Sequence, residues 1–279
     1  MKQTRLGKGA SRPITKYDEI LNFFMTPADI PIRKLWELAK EYKVDRKITL
    51  SFLDVIIPIY HQMFKSLYNL KVTGIEKIPL GKRCIISPNH SSWLDAQLIA
   101  SILPQRAYFL AKKELLKMPV SGVMMELVGG VGIDREYVDA SGLKKAMGLL
   151  KKNEHLVVFP EGTIPGEEDL SVNDMEPETG LLPGNTGAVV LAIKTQAPIF
   201  PVGIIGANEV LPPETFPRLE SLPDFKNTQL IVNIGEPITY EKYYNKKISA
   251  EETEELTREL MKQIGKLAGK KQSASQKKI

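Results

Sequence analysis

Apolar residues recur at helical spacing within residues 17–70. Ile32, Leu35, Trp36 and Ala39 fall on one face, while Arg33, Lys34, Lys40 and Lys43 occupy the others, which predicts a basic amphipathic helix. Farther on, Ile48, Phe52, Val55, Ile56, Ile59, Tyr60, Met63, Phe64 and Leu67 extend the pattern until it nearly wraps the helix. Its Trp and Tyr side chains are of the kind that sit at a membrane–water boundary. Two readings of this helical pair stay open, packing on its own domain and contact with a membrane surface.

From Lys71 the period changes. Short β-rich runs at residues 71–73, 84–87, 108–111, 131–133, 156–159, 199–204 and 230–234 alternate with helical stretches at 93–103, 120–128, 139–152, 186–195 and 250–267. This predicts an α/β fold, a mixed β-sheet flanked by helices, with the amphipathic helical pair in front. Proline-rich stretches at 165–183 and 211–223 read as surface loops. The expected organisation is a basic tail over 1–16, a helical membrane-docking motif over 17–70, an α/β domain over 71–268 and a basic disordered tail over 269–279.

The single cysteine, Cys84, excludes a disulfide framework or a thiolate metal cluster and fits a reducing compartment. It sits inside an apolar strand with no neighbouring base, so it reads as packing rather than as a nucleophile. The start of the chain has no apolar signal segment. Residues 48–64, the most apolar stretch, are interrupted by Asp54, Pro58 and His61, and fall short of the ~18 uninterrupted apolar residues of a spanning helix. The formal charge of +5 is unevenly placed. Residues 1–16 hold five Lys or Arg and residues 262–279 hold six, with no acid in either, so the intervening chain has 27 basic against 33 acidic residues. A mildly acidic body argues against nucleic acid as a partner. Basic tails suit anionic lipid.

Candidate chemistry begins where the apolar run 84–87 leads into Pro88-Asn89-His90-Ser91-Ser92-Trp93-Leu94-Asp95. A strand's carboxyl end is where α/β proteins commonly bind ligands. Helical positions five apart differ by about 140° at 3.6 residues per turn, so His90 and Asp95 would not share a helix face. A turn before a helix capped by Ser91 or Ser92 would instead fold His90 back toward the Asp95 carboxylate. An Asp accepting from one ring nitrogen leaves the other as a general base. The proton could then come from a substrate hydroxyl, giving a transferase, or from Ser91 or Ser92, giving a hydrolase; a structural histidine beside a capping serine is the third reading.

The segment 89–95 resembles the first signature of the glycerolipid acyltransferase family, an Asn-His followed by four residues and Asp. Its neighbours resemble the family's other motifs in order: Val72-Thr73-Gly74-Ile75-Glu76-Lys77-Ile78-Pro79, then Gly129-Gly130-Val131-Gly132-Ile133-Asp134-Arg135, then Phe159-Pro160-Glu161-Gly162-Thr163, then Ile199-Phe200-Pro201-Val202-Gly203-Ile204. The resemblance covers residues 70–205. It implies acyl transfer from a thioester, acyl-CoA or acyl carrier protein, to a lipid hydroxyl, with no cofactor and no metal. On matching positions His90 becomes the base and Asp95 its orienting partner. Arg135 becomes a phosphate contact, and Glu161, Gly162 and Thr163 help fix the acceptor.

Two positions depart from the family. The Arg customary after Glu-Gly-Thr is Ile164, and a downstream basic position is replaced within Pro183-Gly184-Asn185-Thr186-Gly187-Ala188. Lys112 and Lys113 are candidates to compensate, since an ammonium binds phosphate as a point charge. Leu115, Leu116, Met118, Val120, Val123, Met124, Met125, Leu127 and Val128 offer an adaptable apolar wall for an acyl chain, and ordinary core is the alternative. His61 and His155 have no comparable setting. The expected protein is thus a peripheral acyltransferase on the cytoplasmic face of a membrane, acting on a lysophospholipid, with lysophosphatidate foremost. Other acceptors (glycerol 3-phosphate or another lysolipid), a Ser-dependent thioesterase or lipase, and a catalytically silent lipid-binding module are the rival expectations.

Overall fold

Five consecutive buried residues, Cys84–Pro88, mark the middle of the molecule in a computed structural model, which describes residues 29–117, 119–133, 140–165, 174–213 and 228–270. In chain order the elements are α1 (Asp29–Glu41), α2 (Asp45–Tyr68), β1 (Lys71–Thr73), β2 (Cys84–Pro88), α3 (Asp95–Ile102), β3 (Ala107–Lys112), α4 (Lys113–Leu116), α5 (Pro119–Leu127) and β4 (Gly130–Ile133). They continue with α6 (Ala140–Lys151), β5 (His155–Val157), α7 (Gly187–Thr195), β6 (Ile199–Ile205), α8 (Ala207–Val210), β7 (Ile231–Ile234) and α9 (Ala250–Leu267). The seven strands form one sheet in the order β1-β7-β6-β2-β5-β3-β4. Every neighbouring pair is parallel except β6 with β7, so the sheet is mixed.

β2 is buried throughout because helices cover both faces of a parallel sheet, and its one hydroxyl, on Ser87, donates to the Val158 carbonyl. Its side chains alternate between two cores. Cys84 and Ile86 join Phe64, Tyr68, Leu98 and Phe200 on one face, and Ile85 joins Leu150, Leu156, Ile193 and Ile264 on the other. Parallel neighbours on each side, Ile86 opposite Val157 of β5 and Phe200 of β6, bring the carboxyl ends of three strands together. On the far face α9 opens with a reciprocal cap between Ser249 and Glu252. Its last turn packs directly on β6: a Cβ built on Gly203 would lie 2.1 Å from the Leu267 carbonyl carbon, so only glycine fits.

The helical pair is packed on this body along one side. Phe64 and Tyr68 at the end of α2 belong to the core, and Trp36 and Ala39 of α1 pack with Val123 and Leu127 of α5. The Trp36 indole N–H and the Lys40 ammonium both reach Glu126 Oε2, each at 2.7 Å. Arg106 fastens the middle of α2 by donating to the Leu50 carbonyl and the Asp54 carboxylate. The opposite side is apolar and exposed. Of the nine exposed large hydrophobic side chains among the described residues, eight lie between Leu35 and Leu67, so the exposed apolar surface is concentrated on these two helices and the turn between them. No helix among the described residues is long and apolar enough to cross a membrane.

The observed elements differ from expectation mainly at their ends. The helix expected from 93 begins at Asp95, whose own carboxylate holds the preceding turn. The strand expected through 159 ends at Val157. Helices α4 and α8, four residues each, were not expected, since one turn is too short to show a period.

Candidate active site

The loop leaving β2 is tied down before it reaches His90. Asn89, buried, accepts from the Ile204 backbone N–H at 2.7 Å and donates to the Ile204 carbonyl at 3.1 Å, so its amide mimics one more rung of the sheet. His90 then turns back, and its Nδ1 lies 2.9 Å from Asp95 Oδ2. The same oxygen accepts the backbone N–H groups of Ser91 at 2.6 Å and Ser92 at 2.8 Å. Asp95 is wholly buried, and three donors converging on one oxygen require a full acceptor there. With Nδ1–H donating, Nε2 is left as the basic ring nitrogen.

The loop after β5 supports the histidine from a second direction. The Phe159 ring stacks on the imidazole with centroids 4.1 Å apart. Glu161, 5% exposed, accepts the His90 N–H through Oε1 at 2.7 Å and the Leu182 N–H through Oε2 at 3.0 Å. Burial pushes its carboxyl up to about 7, against the lowering effect of the two N–H groups and of His90. Gly162, next in line, holds φ +77°, a conformation that favours glycine, and closes a turn onto the Phe159 carbonyl.

His90 stands in the wall of an apolar cavity of about 190 Å³. α2 contributes Leu53, Ile56, Ile57 and Tyr60, α3 contributes Ala96 and Ala100, and Leu115, Met125 and Val128 close the other side. Gly162, Thr163 and Ile164 form the rim with Lys112 at the end of β3. Five of the nine residues anticipated as an acyl wall are thereby sorted, Leu115 among those at the cavity. Met125 and Val128 face the cavity, whereas Val123 and Leu127 are buried against Trp36. The α2 wall was missed as part of the site, although the i, i+3, i+4, i+7 spacing of 53, 56, 57 and 60 would have marked one face.

The remaining candidates separate clearly. Lys112 lines the cavity, but Lys113 is exposed at the start of α4 and does not line it. Arg135 lies outside the described residues. Glu161, expected against the acceptor, has both oxygens on backbone N–H groups. Ser92 is committed as well: its hydroxyl donates to the Leu211 carbonyl at 2.8 Å and receives the Leu94 N–H, an arrangement that removes it as a nucleophile. Burial pushes the Cys84 thiol up to about 12, in keeping with a packing residue. His155 is buried far from the site, donating through Nε2 to the Pro79 carbonyl, and burial lowers its pKa. His61 contacts only the Ser101 carbonyl among the bonds described. The departures at Ile164 and Asn185 also find places. Ile164 is buried in the cavity rim, and the Asn185 amide donates to the Pro160 and Glu161 carbonyls, holding the loop that carries Glu161.

A histidine oriented by a buried carboxylate at the carboxyl edge of an α/β sheet, beside an apolar slot, is the apparatus of a group-transfer enzyme with an apolar substrate. The acyltransferase family profile matches residues 69–205. A 1-acyl-sn-glycerol-3-phosphate acyltransferase of Bacillus subtilis is 29% identical over 170 residues, 61% of this chain and 73% of that protein. The Saccharomyces cerevisiae protein of the same name is 32% identical over 195 residues, 68% of this chain and 58% of its own. The human beta form is 32% identical over 152 residues, covering 53% and 51%. The chain thus spans little more than half of the yeast and human relatives. The crystal structure of the 1-acyl-sn-glycerophosphate (LPA) acyltransferase PlsC from Thermotoga maritima superposes with a TM-score of 0.58 over 92% of this chain and 97% of that one, at 24% identity, a likeness of fold. Residues 69–205 of the chain thus match the acyltransferase family.

Proposed function

We propose that this enzyme transfers a fatty acyl group from the thioester of acyl-CoA or acyl carrier protein to the free hydroxyl of 1-acylglycerol 3-phosphate, giving phosphatidate. The observation that carries the reading is the hydrogen bond from His90 to buried Asp95 in the wall of the apolar cavity. The acceptor hydroxyl gives its proton to His90 Nε2 as its oxygen attacks the thioester carbonyl. The tetrahedral intermediate then collapses, breaking the C–S bond, and the imidazolium returns the proton to the departing thiolate. Asp95 stabilises the imidazolium and fixes the ring, and no acyl-enzyme is needed. The acyl chain lies against Leu53, Ile57, Ala100 and Met125. Lys112 and Arg135 take the acceptor phosphate, with Gly162 and Thr163 at the rim. The named relatives and the ordered motifs support the acceptor assignment.

One observation favours a second reading of the acceptor. Ile164 places an alkyl group in the rim where the family customarily has Arg, and Asn185 is occupied by backbone carbonyls. An acceptor without a phosphate monoester suits such a rim better. A panel of lysophosphatidate, glycerol 3-phosphate, lysophosphatidylethanolamine and an amide-linked lysolipid against one acyl-CoA separates the two. Lysophosphatidate is expected to give the highest kcat/KM, and a preference for lysophosphatidylethanolamine would transfer the assignment to the second reading.

The same enzyme docks peripherally on the membrane face that receives the soluble donor, the cytoplasmic one. Support comes from the outer side of α1 and α2, where Leu35, Tyr42, Val55 and Ile59 are 65%, 75%, 62% and 54% exposed beside the exposed Lys34, Lys43 and Lys47. Replacing both Val55 and Ile59 with Glu is expected to lower partitioning onto phosphatidylglycerol vesicles by about tenfold or more, while leaving turnover of detergent-dispersed substrate near wild type. Sedimentation with vesicles reads the first and a thiol-release assay the second; unchanged sedimentation would remove this face as the docking surface.

A further inference from the structure

Glu161 does something the family's acceptor role does not describe. Its carboxylate is 5% exposed and points inward, away from a position in which an incoming hydroxyl could use both oxygens. Each oxygen is taken by one backbone N–H, from His90 at 2.7 Å and from Leu182 at 3.0 Å. Those two residues belong to different segments, the loop leaving β2 and the chain entering α7. The site thus contains a carboxylate joining two loops, one of which carries the base.

We infer that Glu161 is a positioning residue: its ionised carboxylate locks the His90 loop to the Leu182 segment and thereby sets the aim of the imidazole, instead of binding the acceptor. This rests on the acyl-transfer reading above and adds a role within it. Several contacts converge on the same end. Phe159, two residues earlier, stacks on the His90 ring, and Asp95 holds Nδ1, so the ring and the backbone of His90 are fixed separately. Asn185 secures the clamp itself by donating to the Pro160 and Glu161 carbonyls. The titratable groups facing Glu161 are His90 and Asp95, both from the segment after β2, and the Leu181–Leu182 side of its packing is apolar. A protonated carboxyl accepts less well, so acidification through about 7 loosens the clamp.

The test is steady-state kinetics of Glu161→Gln and Asn185→Ala in the full chain with acyl-CoA and saturating lysolipid, alongside wild type. Glutamine keeps the shape but turns an amide donor toward one of the two N–H groups, which costs a charge-assisted bond and is expected to lower kcat about ten- to a hundredfold at pH 8 with acceptor KM nearly unchanged. Asn185→Ala is expected to give a milder loss of the same kind. In addition, the ratio of wild-type to Glu161→Gln kcat narrows as the pH is taken from 8 to 6, because wild-type Glu161 becomes neutral there. A variant whose acceptor KM rises while kcat holds, or a ratio that stays constant with pH, would overturn the inference and return Glu161 to the acceptor. Inactivity of the wild-type protein toward every lysolipid would instead count against acyl transfer itself.

Discussion

His90→Ala is expected to lower acyl transfer by about 10²- to 10⁴-fold, the range that positioned general bases contribute. The variant should remain folded. Asn89 keeps both bonds to Ile204 and Glu161 keeps the His90 backbone N–H, so the loop loses only the ring, its stack on Phe159 and its bond to Asp95. The ring stands in a cavity wall, where truncation opens existing space and does not create a sealed void. Thiol release from acyl-CoA in the presence of lysolipid measures the loss, and near-ultraviolet circular dichroism checks the packing. Transfer at the wild-type rate would show that the acceptor proton leaves by another route.

Asp95→Asn is expected to cost about 10²- to 10⁴-fold in kcat with little change in KM, the pattern of a group that acts on the base as charge develops. Asparagine is the informative substitution. Alanine would strand three buried donors, the His90 ring N–H and the Ser91 and Ser92 backbone N–H groups, at roughly 1–3 kcal/mol each, and would confuse instability with chemistry. The amide oxygen can still receive them, and its NH₂ falls where Oδ1 has no partner among the described residues. What disappears is the charge that stabilises an imidazolium. A variant with wild-type kcat and a lowered Tm would assign Asp95 to the turn alone.

Much of this site was legible in the residues because its chemistry is local. His90 and Asp95 are five apart, and their fold-back was readable from the turn that precedes a helix. The strands announced themselves as short apolar runs, and a helix with a strong reciprocal cap, Ala250–Leu267, matched its expected bounds at both ends. What stayed hidden depends on partners far along the chain. Nothing near Asn89 marks Ile204 as its counterpart, and nothing near Glu161 marks Leu182. A carboxylate in a ligand-binding motif reads as facing the ligand until the fold shows which backbone groups have no other acceptor. Likewise Leu53, Ile56, Ile57 and Tyr60 have the spacing of any buried helix face, and only the placement of α2 against α3 distinguishes a cavity wall from core.

The pairing of Asn89 with Ile204 has a consequence for the order of assembly. The two residues are 115 positions apart, and closing so long a loop must be compensated by contacts made along the way. β6 has to be seated beside β2 before the turn bearing the base acquires its final shape. Chains truncated ahead of β6 therefore lack the anchor that Asn89 finds on Ile204, although the bonds joining His90 to Asp95 are local to residues 90–95.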